Sequence, residues 1–161
     1  MRKIATLLIL CFMPICLFAQ TYKMYQTRNY HNQLRLNTAT GEVLQVQDDG
    51  QSWKICDAVE DGGEIDNRFC LYETQNMWTF IMLDSFTGRL WQVQYDTKSL
   101  DNLLCVSINE EVLESGDRSI FSIQPMTSMF QYYLISNKSG AMWQFQWTTE
   151  GPDYRWIKRV N

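Results

Sequence analysis

His31 is the only histidine in the 161 residues, and this limits the chemistry the chain can do. A Ser–His–Asp relay or a Cys–His pair would have to run through it, because imidazole is the side chain that exchanges protons near neutral pH. No Gly-x-Ser-x-Gly, His-Glu-x-x-His, phosphate loop or Cys-x-x-Cys accompanies it. A nucleophilic Cys70 would need an electropositive setting to hold a thiolate, and the sequence sets no basic cluster around it. Carboxylate chemistry needs only two acids at the right separation. Asp84 in "LDSFTG" is the candidate, which gives a small hydrolase as a third reading behind two binding ones. Asp57, Glu60, Asp61, Glu64 and Asp66 in "DAVEDGGEID" are hard oxygen donors, yet their spacing fits no calcium loop. With "NEEVLESGD" at 109–117 they read as solvated acidic linkers. No metal, cofactor or catalytic residue is assigned.

Aromatic rings and primary amides suggest binding chemistry instead. Sugars stack their CH faces on aromatic rings, while amides take their hydroxyls. All six tryptophans lie beyond residue 19. Trp78 with Asn76 in "TQNMW" is a possible platform, and Asn29, Tyr30 and His31 stand at the corresponding place earlier in the chain. Gln92, Gln94, Gln144 and Gln146 add a row of amides. Each feature also has a purely structural reading. Trp78 can anchor a loop, and the glutamines can satisfy backbone groups.

The elements that position these residues follow from an internal repeat. "VLQVQ" at 43–47, "LWQVQ" at 90–94 and "MWQFQ" at 142–146 each follow a glycine closely, and Gly41, Gly88 and Gly140 lie 47 and 52 residues apart. Upstream, "YKMYQTRN" at 22–29 aligns with "FCLYETQN" at 69–76, and "FSIQPMTS" at 121–128 is a weaker third copy. On this alignment His31 shares a slot with Trp78 and Phe130, and Asp84 shares one with Asn37 and Ser136, where turn capping accounts for the set. Apolar residues alternate in each copy, as half-buried strands require. More apolar strands follow in "QLRL", "FIML" and "YYLI", then a turn closed by glycine, the glutamine strand, and a short fourth strand in "SWKIC", "LLCVSI" and "RWIKRV". The expectation is an all-β domain of three four-stranded repeats, at 22–67, 68–117 and 118–161.

Residues 1–19 read differently. Arg2 and Lys3 precede an apolar run that ends in the small Ala19, the pattern of a secretory signal peptide. A lipoprotein anchor through Cys16 would want a small residue where Ile15 stands. Removing this segment leaves one domain, 20–161, and takes the formal charge from −4 to −6 by the loss of two positive charges. An acidic chain without a basic cluster is unsuited to nucleic acid or an anionic membrane. No later stretch reaches the roughly 20 apolar residues of a membrane helix. Cys56, Cys70 and Cys105 remain, enough for one bridge or none. Cys56 and Cys105 read as small core residues, and Cys70 as a thiol on the outward row with Lys23 and Ser122.

Three resemblances bear on the fold. "YYLISNKSGAMWQF" and "LRLNTATGEVLQV" resemble the strand–turn–strand of ricin-type β-trefoil lectins, which implies three four-stranded repeats and sugar binding, although the Gln-x-Trp signature is not regular here. "LDSFTGRLW" resembles an element of quinoprotein-type propeller blades. "DDGQSW" at 48–53 resembles the Asp-box hairpin of sialidase-type blades, with Val46 where that motif has Ser or Thr. The segment 20–161 as a whole resembles small exported bacterial proteins with "LYxTQNMWTF" and "LDxxTGxxWQVQ" repeats, a likeness that implies export and no particular activity. A β-trefoil is favoured, with a three-bladed propeller or a half-propeller closed by dimerisation as the alternative. The expected function is an exported, non-enzymatic binding module for a glycan or a surface protein. The alternative is a structural or protein-partner-binding β scaffold.

Overall fold

The computed structural model describes residues 21–60, 65–110 and 120–161. The proposed signal segment, Asp61, Glu64 and most of the second acidic linker lie outside the described residues. Among the described residues, twelve strands form three separate four-stranded antiparallel sheets, each in simple sequence order. Sheet 1 holds β1 (Tyr22–Gln26), β2 (Asn32–Asn37), β3 (Val43–Gln47) and β4 (Ser52–Cys56). Sheet 2 holds β5 (Phe69–Glu73), β6 (Thr79–Asp84), β7 (Leu90–Gln94) and β8 (Leu104–Asn109). Sheet 3 holds β9 (Phe121–Pro125), β10 (Gln131–Ser136), β11 (Met142–Gln146) and β12 (Trp156–Arg159). The all-β class and the threefold internal repeat of the sequence are both present. None of the sheets closes on itself, and no ladder joins one sheet to another among the described residues.

The turn between the second and third strands shows why the glycines recur. Gly41, Gly88 and Gly140 have φ of +79°, +76° and +73°, a region open to glycine and costly for residues with a Cβ. Their N–H groups donate to the carbonyls of Asn37, Asp84 and Ser136, each at 2.9 Å. The side chain at that same position caps the turn. Asn37 Oδ1 accepts from the N–H of Ala39, Asp84 Oδ1 from Phe86, and Ser136 Oγ from Ser139. In sheet 2 the cap is also an ion pair, because buried Arg68 donates to both carboxylate oxygens of Asp84, at 3.0 and 2.6 Å.

The core lies between sheets. Leu34, Leu36 and Val43 of sheet 1 pack on Phe69, Leu71, Phe80 and Met82 of sheet 2. One repeat further on, Ile81, Leu83 and Leu90 of sheet 2 pack on Phe121, Ile123, Tyr132 and Leu134 of sheet 3. The middle sheet is therefore covered on both faces, and every residue of β6 is buried. This corrects the placing of Cys70 on an outward row. That row of sheet 2 faces sheet 3, and Cys70 is half-buried against its core. The other two cysteines lie in or against the core, as expected, and the open question of a bridge is settled. Cys56 and Cys105 are joined in a disulfide that ties β4 to β8.

Candidate functional site

The loops leading into β2 and β6 are built the same way. Thr27 Oγ donates to the carbonyls of Asn29 and Asn32, at 2.7 and 2.8 Å. Thr74 Oγ does so to Asn76 and Thr79, at 3.1 and 2.8 Å. Asn29 Oδ1 then accepts from the N–H of His31, and Asn76 Oδ1 from that of Trp78. The slot shared by His31, Trp78 and Phe130 is a real structural position, for each packs against the residue just past the glutamine strand. Trp78 meets Tyr95 with ring centroids 5.3 Å apart, and Phe130 meets Trp147 at 5.0 Å. In the first repeat the same contact is polar, with His31 Nδ1 2.8 Å from Asp48 Oδ2. Both members of that pair are exposed.

His31 and Asn29 line an open recess of about 410 Å³ with Asn32, Gln47, Asp48, Asp49 and Thr97. Tyr30 lies against His31, the ring centroids 3.9 Å apart and the planes tilted by 44°, and is 77% exposed. Trp78 and Asn76 belong to the equivalent loop of sheet 2, so the structure does not gather the nine residues of the sequence reading into one site. A larger groove of about 620 Å³ runs beside the disulfide, lined by Asp57, Glu60, Arg89, Trp91, Asn109 and Glu110 among others, and it contains none of those nine.

The glutamines do two jobs. Gln94 Nε2 donates to the carbonyl of Asn102, and Gln146 Nε2 to that of Tyr154, each holding the loop that follows its own strand. Gln45 and Gln92 are buried and reach into the next sheet. Gln45 Nε2 donates to the carbonyl of Asp96 at 2.8 Å. One repeat on, Gln92 Nε2 donates to the carbonyl of Thr148 at 2.8 Å, while its Oε1 accepts from the Thr148 N–H at 3.3 Å. Gln144, the third member, is only half-buried and donates to Gln131 within its own sheet.

Two further devices recur at these joints. The carbonyl of Thr38 accepts from the N–H of Phe69, and that of Ser85 from Phe121. The hydroxyl of Tyr25 accepts from the N–H of Leu71 at 3.2 Å, and Tyr72, one repeat on, is set against the backbone of Ile123. Burial pushes the Tyr72 phenol well above its ordinary range. The tyrosine pair escapes a reading based on catalytic residue types, although Tyr25 and Tyr72 are exact repeat partners and the alignment alone could have flagged them.

The remaining sequence candidates have local roles. Asp84 is buried in its turn, held by Arg68 and by Thr87. Burial pushes the Cys70 thiol up from its ordinary value, away from the thiolate a nucleophile needs. Of the acidic linker, Asp57 pairs with Lys54, and Asp66 accepts from Thr21. Among the described residues no group of three or more His, Cys, Asp or Glu side chains is placed to hold a metal. No helix among them is long and apolar enough to cross a membrane.

Fold and joints together define an all-β protein of three repeated four-stranded meanders stacked face to face. No protein-family model, curated protein or solved structure matches the chain.

Proposed function

We propose that the protein is an exported, non-enzymatic β scaffold that binds a protein partner through the outer faces of its terminal sheets. One observation carries this reading. Leu34, Leu36 and Val43 in sheet 1, and Ile81, Leu83 and Leu90 in sheet 2, are fully buried under the next sheet. Their counterparts Tyr133, Ile135 and Met142 in sheet 3 remain partly exposed. The opposite end is open too. Tyr22 and Met24 are 50% and 46% exposed, where Phe69 and Leu71 are 1% and 6%. Apolar surface at positions that the repeat elsewhere covers is the signature of an interaction face. The simple strand order of each sheet and its face-to-face stacking support the propeller-blade reading over the trefoil. Export is supported by the signal-like residues 1–19 and by the disulfide, which persists in oxidising compartments.

The test is to immobilise the protein, capture binders from the exported fraction and identify them by mass spectrometry. Binding should disappear with Ile135→Glu and persist with Tyr30→Ala. A binder indifferent to Ile135→Glu and Met24→Glu would contradict the reading.

A second reading rests on the recess around His31. Exposed Tyr30, with Asn29, Asp48 and Asp49 nearby, offers a ring and hydroxyl acceptors to a glycan. Saturable quenching of intrinsic fluorescence by a soluble sugar, lost in Tyr30→Ala, would favour it.

A further inference from the structure

We propose that the partner of the two end faces is a second copy of this chain, sheet 3 of each copy docking on sheet 1 of the other to give a closed pair of six sheets. The inference rests on the partner-binding reading above and names the occupant.

The two ends are the two halves of one joint, and the chain already makes that joint twice. Each internal joint combines an apolar face with hydrogen bonds made by a backbone carbonyl and a buried glutamine amide to fixed positions of the following repeat, and sets a tyrosine against its first strand. In the joint between sheets 2 and 3, the Ser85 carbonyl takes the N–H of Phe121, Gln92 holds the backbone of Thr148, and Tyr72 is set against the backbone of Ile123. Sheet 3 repeats the first half of that joint, with Asn137 at the position of Ser85, Gln124 at that of Tyr72 and Gln144 at that of Gln92. A glutamine side chain can accept a backbone N–H as a tyrosine oxygen does. Sheet 1 repeats the second half. The N–H groups of Tyr22 and Met24 correspond to those of Phe121 and Ile123, and Asp49 corresponds to Thr148. β1 is an edge strand, with no strand beside its outward backbone groups among the described residues. The exposure of Tyr22 and Met24 shows that sheet 3 does not cover this face within the described residues. A second copy supplies each half with what it lacks, and one twofold axis creates both joints at once. Six blades also fall within the usual range of about four to eight in closed propellers, and three fall below it.

The joint between copies is weaker than those within one. Sheet 1 carries Gln33, Arg35 and Asp48 where sheet 2 carries Phe80, Met82 and Tyr95. Arg35 is already engaged, stacked 5.1 Å from the Tyr22 ring and 3.7 Å from Glu42. The pair is therefore expected to form and dissociate with concentration.

Sedimentation equilibrium on the purified protein, with its N-terminus fixed by mass spectrometry, tests this. The mass should rise from one chain to two between low and high micromolar concentration. Ile135→Glu on sheet 3 and Met24→Glu on sheet 1 should each raise the dissociation constant at least about tenfold, with near-ultraviolet circular dichroism unchanged. Both positions are already partly exposed, so the variants should fold. A second pair, Tyr133→Lys and Tyr22→Lys, repeats the test if either glutamate variant loses that spectrum. A single-chain mass at every concentration overturns the proposal. So does a mass that grows beyond two chains, which would mean open head-to-tail assembly. Loss of the pair in Ile135→Glu with Met24→Glu unaffected also overturns it, because sheet 3 would then meet sheet 3. A different protein captured on the same faces by a chain that stays single would end this inference and leave the partner-binding reading standing.

Discussion

Gln92 holds Thr148 by both ends of its amide, donating to the carbonyl at 2.8 Å and accepting from the N–H at 3.3 Å across the joint between sheets 2 and 3. Both residues are buried, so removing one leaves the other's backbone groups without water or partner. An unsatisfied buried polar group costs about 1–3 kcal/mol. Gln92→Ala should lower stability by about 2–3 kcal/mol in urea titration. Gln144→Ala, at the equivalent but open position, should change it by less than about 0.5 kcal/mol in dilute solution.

The Cys56–Cys105 bridge closes a loop across 49 residues of sequence. Loop-closure entropy assigns such a bridge about 4 kcal/mol. The double variant Cys56→Ala/Cys105→Ala should lose stability on that scale, and reducing agent should add nothing to its loss. Cys70→Ser should stay within about 1 kcal/mol of the parent, since the swap is nearly isosteric and the thiol's hydrogen bond to the Leu83 carbonyl is long, at 3.9 Å.

Asp84 is fully buried and faces the guanidinium of Arg68 at 2.6 Å. Breaking a buried pair by removing one charge typically costs about 3–5 kcal/mol, because the other is left stranded. Asp84→Asn should therefore be among the most destabilising conservative changes in the chain. The equivalent Asn37→Ala, which removes only a turn cap, should cost about 1 kcal/mol. Thermal unfolding of the two variants side by side gives the comparison.

Tyr72, Tyr132 and Cys70 all have their proton loss pushed upward by burial. A folded-state pKa above the unfolded one means that the unfolded chain releases its proton first. The stability these groups contribute is complete below their unfolded values, about 8.5 for a thiol and about 10 for a phenol, and is lost as pH rises through the higher folded ones. Urea midpoints should therefore fall above about pH 9 to 10. Tyr72→Phe should flatten part of that fall. A midpoint that holds level or rises through this range would contradict the assignment.

The repeat, the strands and the turns were legible in the chain because each has a local cause. Alternation placed the strands, and Asn37, Asp84 and Ser136 before Gly41, Gly88 and Gly140 marked the turns. The joints were not legible in the same way. A period of two shows which residues share a face of a strand, but not which other sheet covers that face. Cys70 was accordingly placed outward when its face is covered by sheet 3. The disulfide was hidden for a related reason. Cys56 pairs with Val43 at the far end of β4, whereas Cys105 pairs with Val93 near the start of β8, so the two are not repeat counterparts and alignment does not bring them together. The recess around His31 was half legible. Asn29 and His31 could be named from the loop pattern, but Thr97 reaches it only through stacking of the sheets.

Amide hydrogen exchange followed by nuclear magnetic resonance tests the central claim most directly. The N–H groups of Phe69, Leu71 and Phe121 are bonded across joints, and those of Tyr22 and Met24 hold the equivalent place on an open face. In dilute solution the first three should exchange slowly and the last two fast. Added partner or raised protein concentration should slow Tyr22 and Met24 and leave the others unchanged. Slow exchange at Tyr22 and Met24 in the dilute single chain would show the end face already covered and would contradict the account.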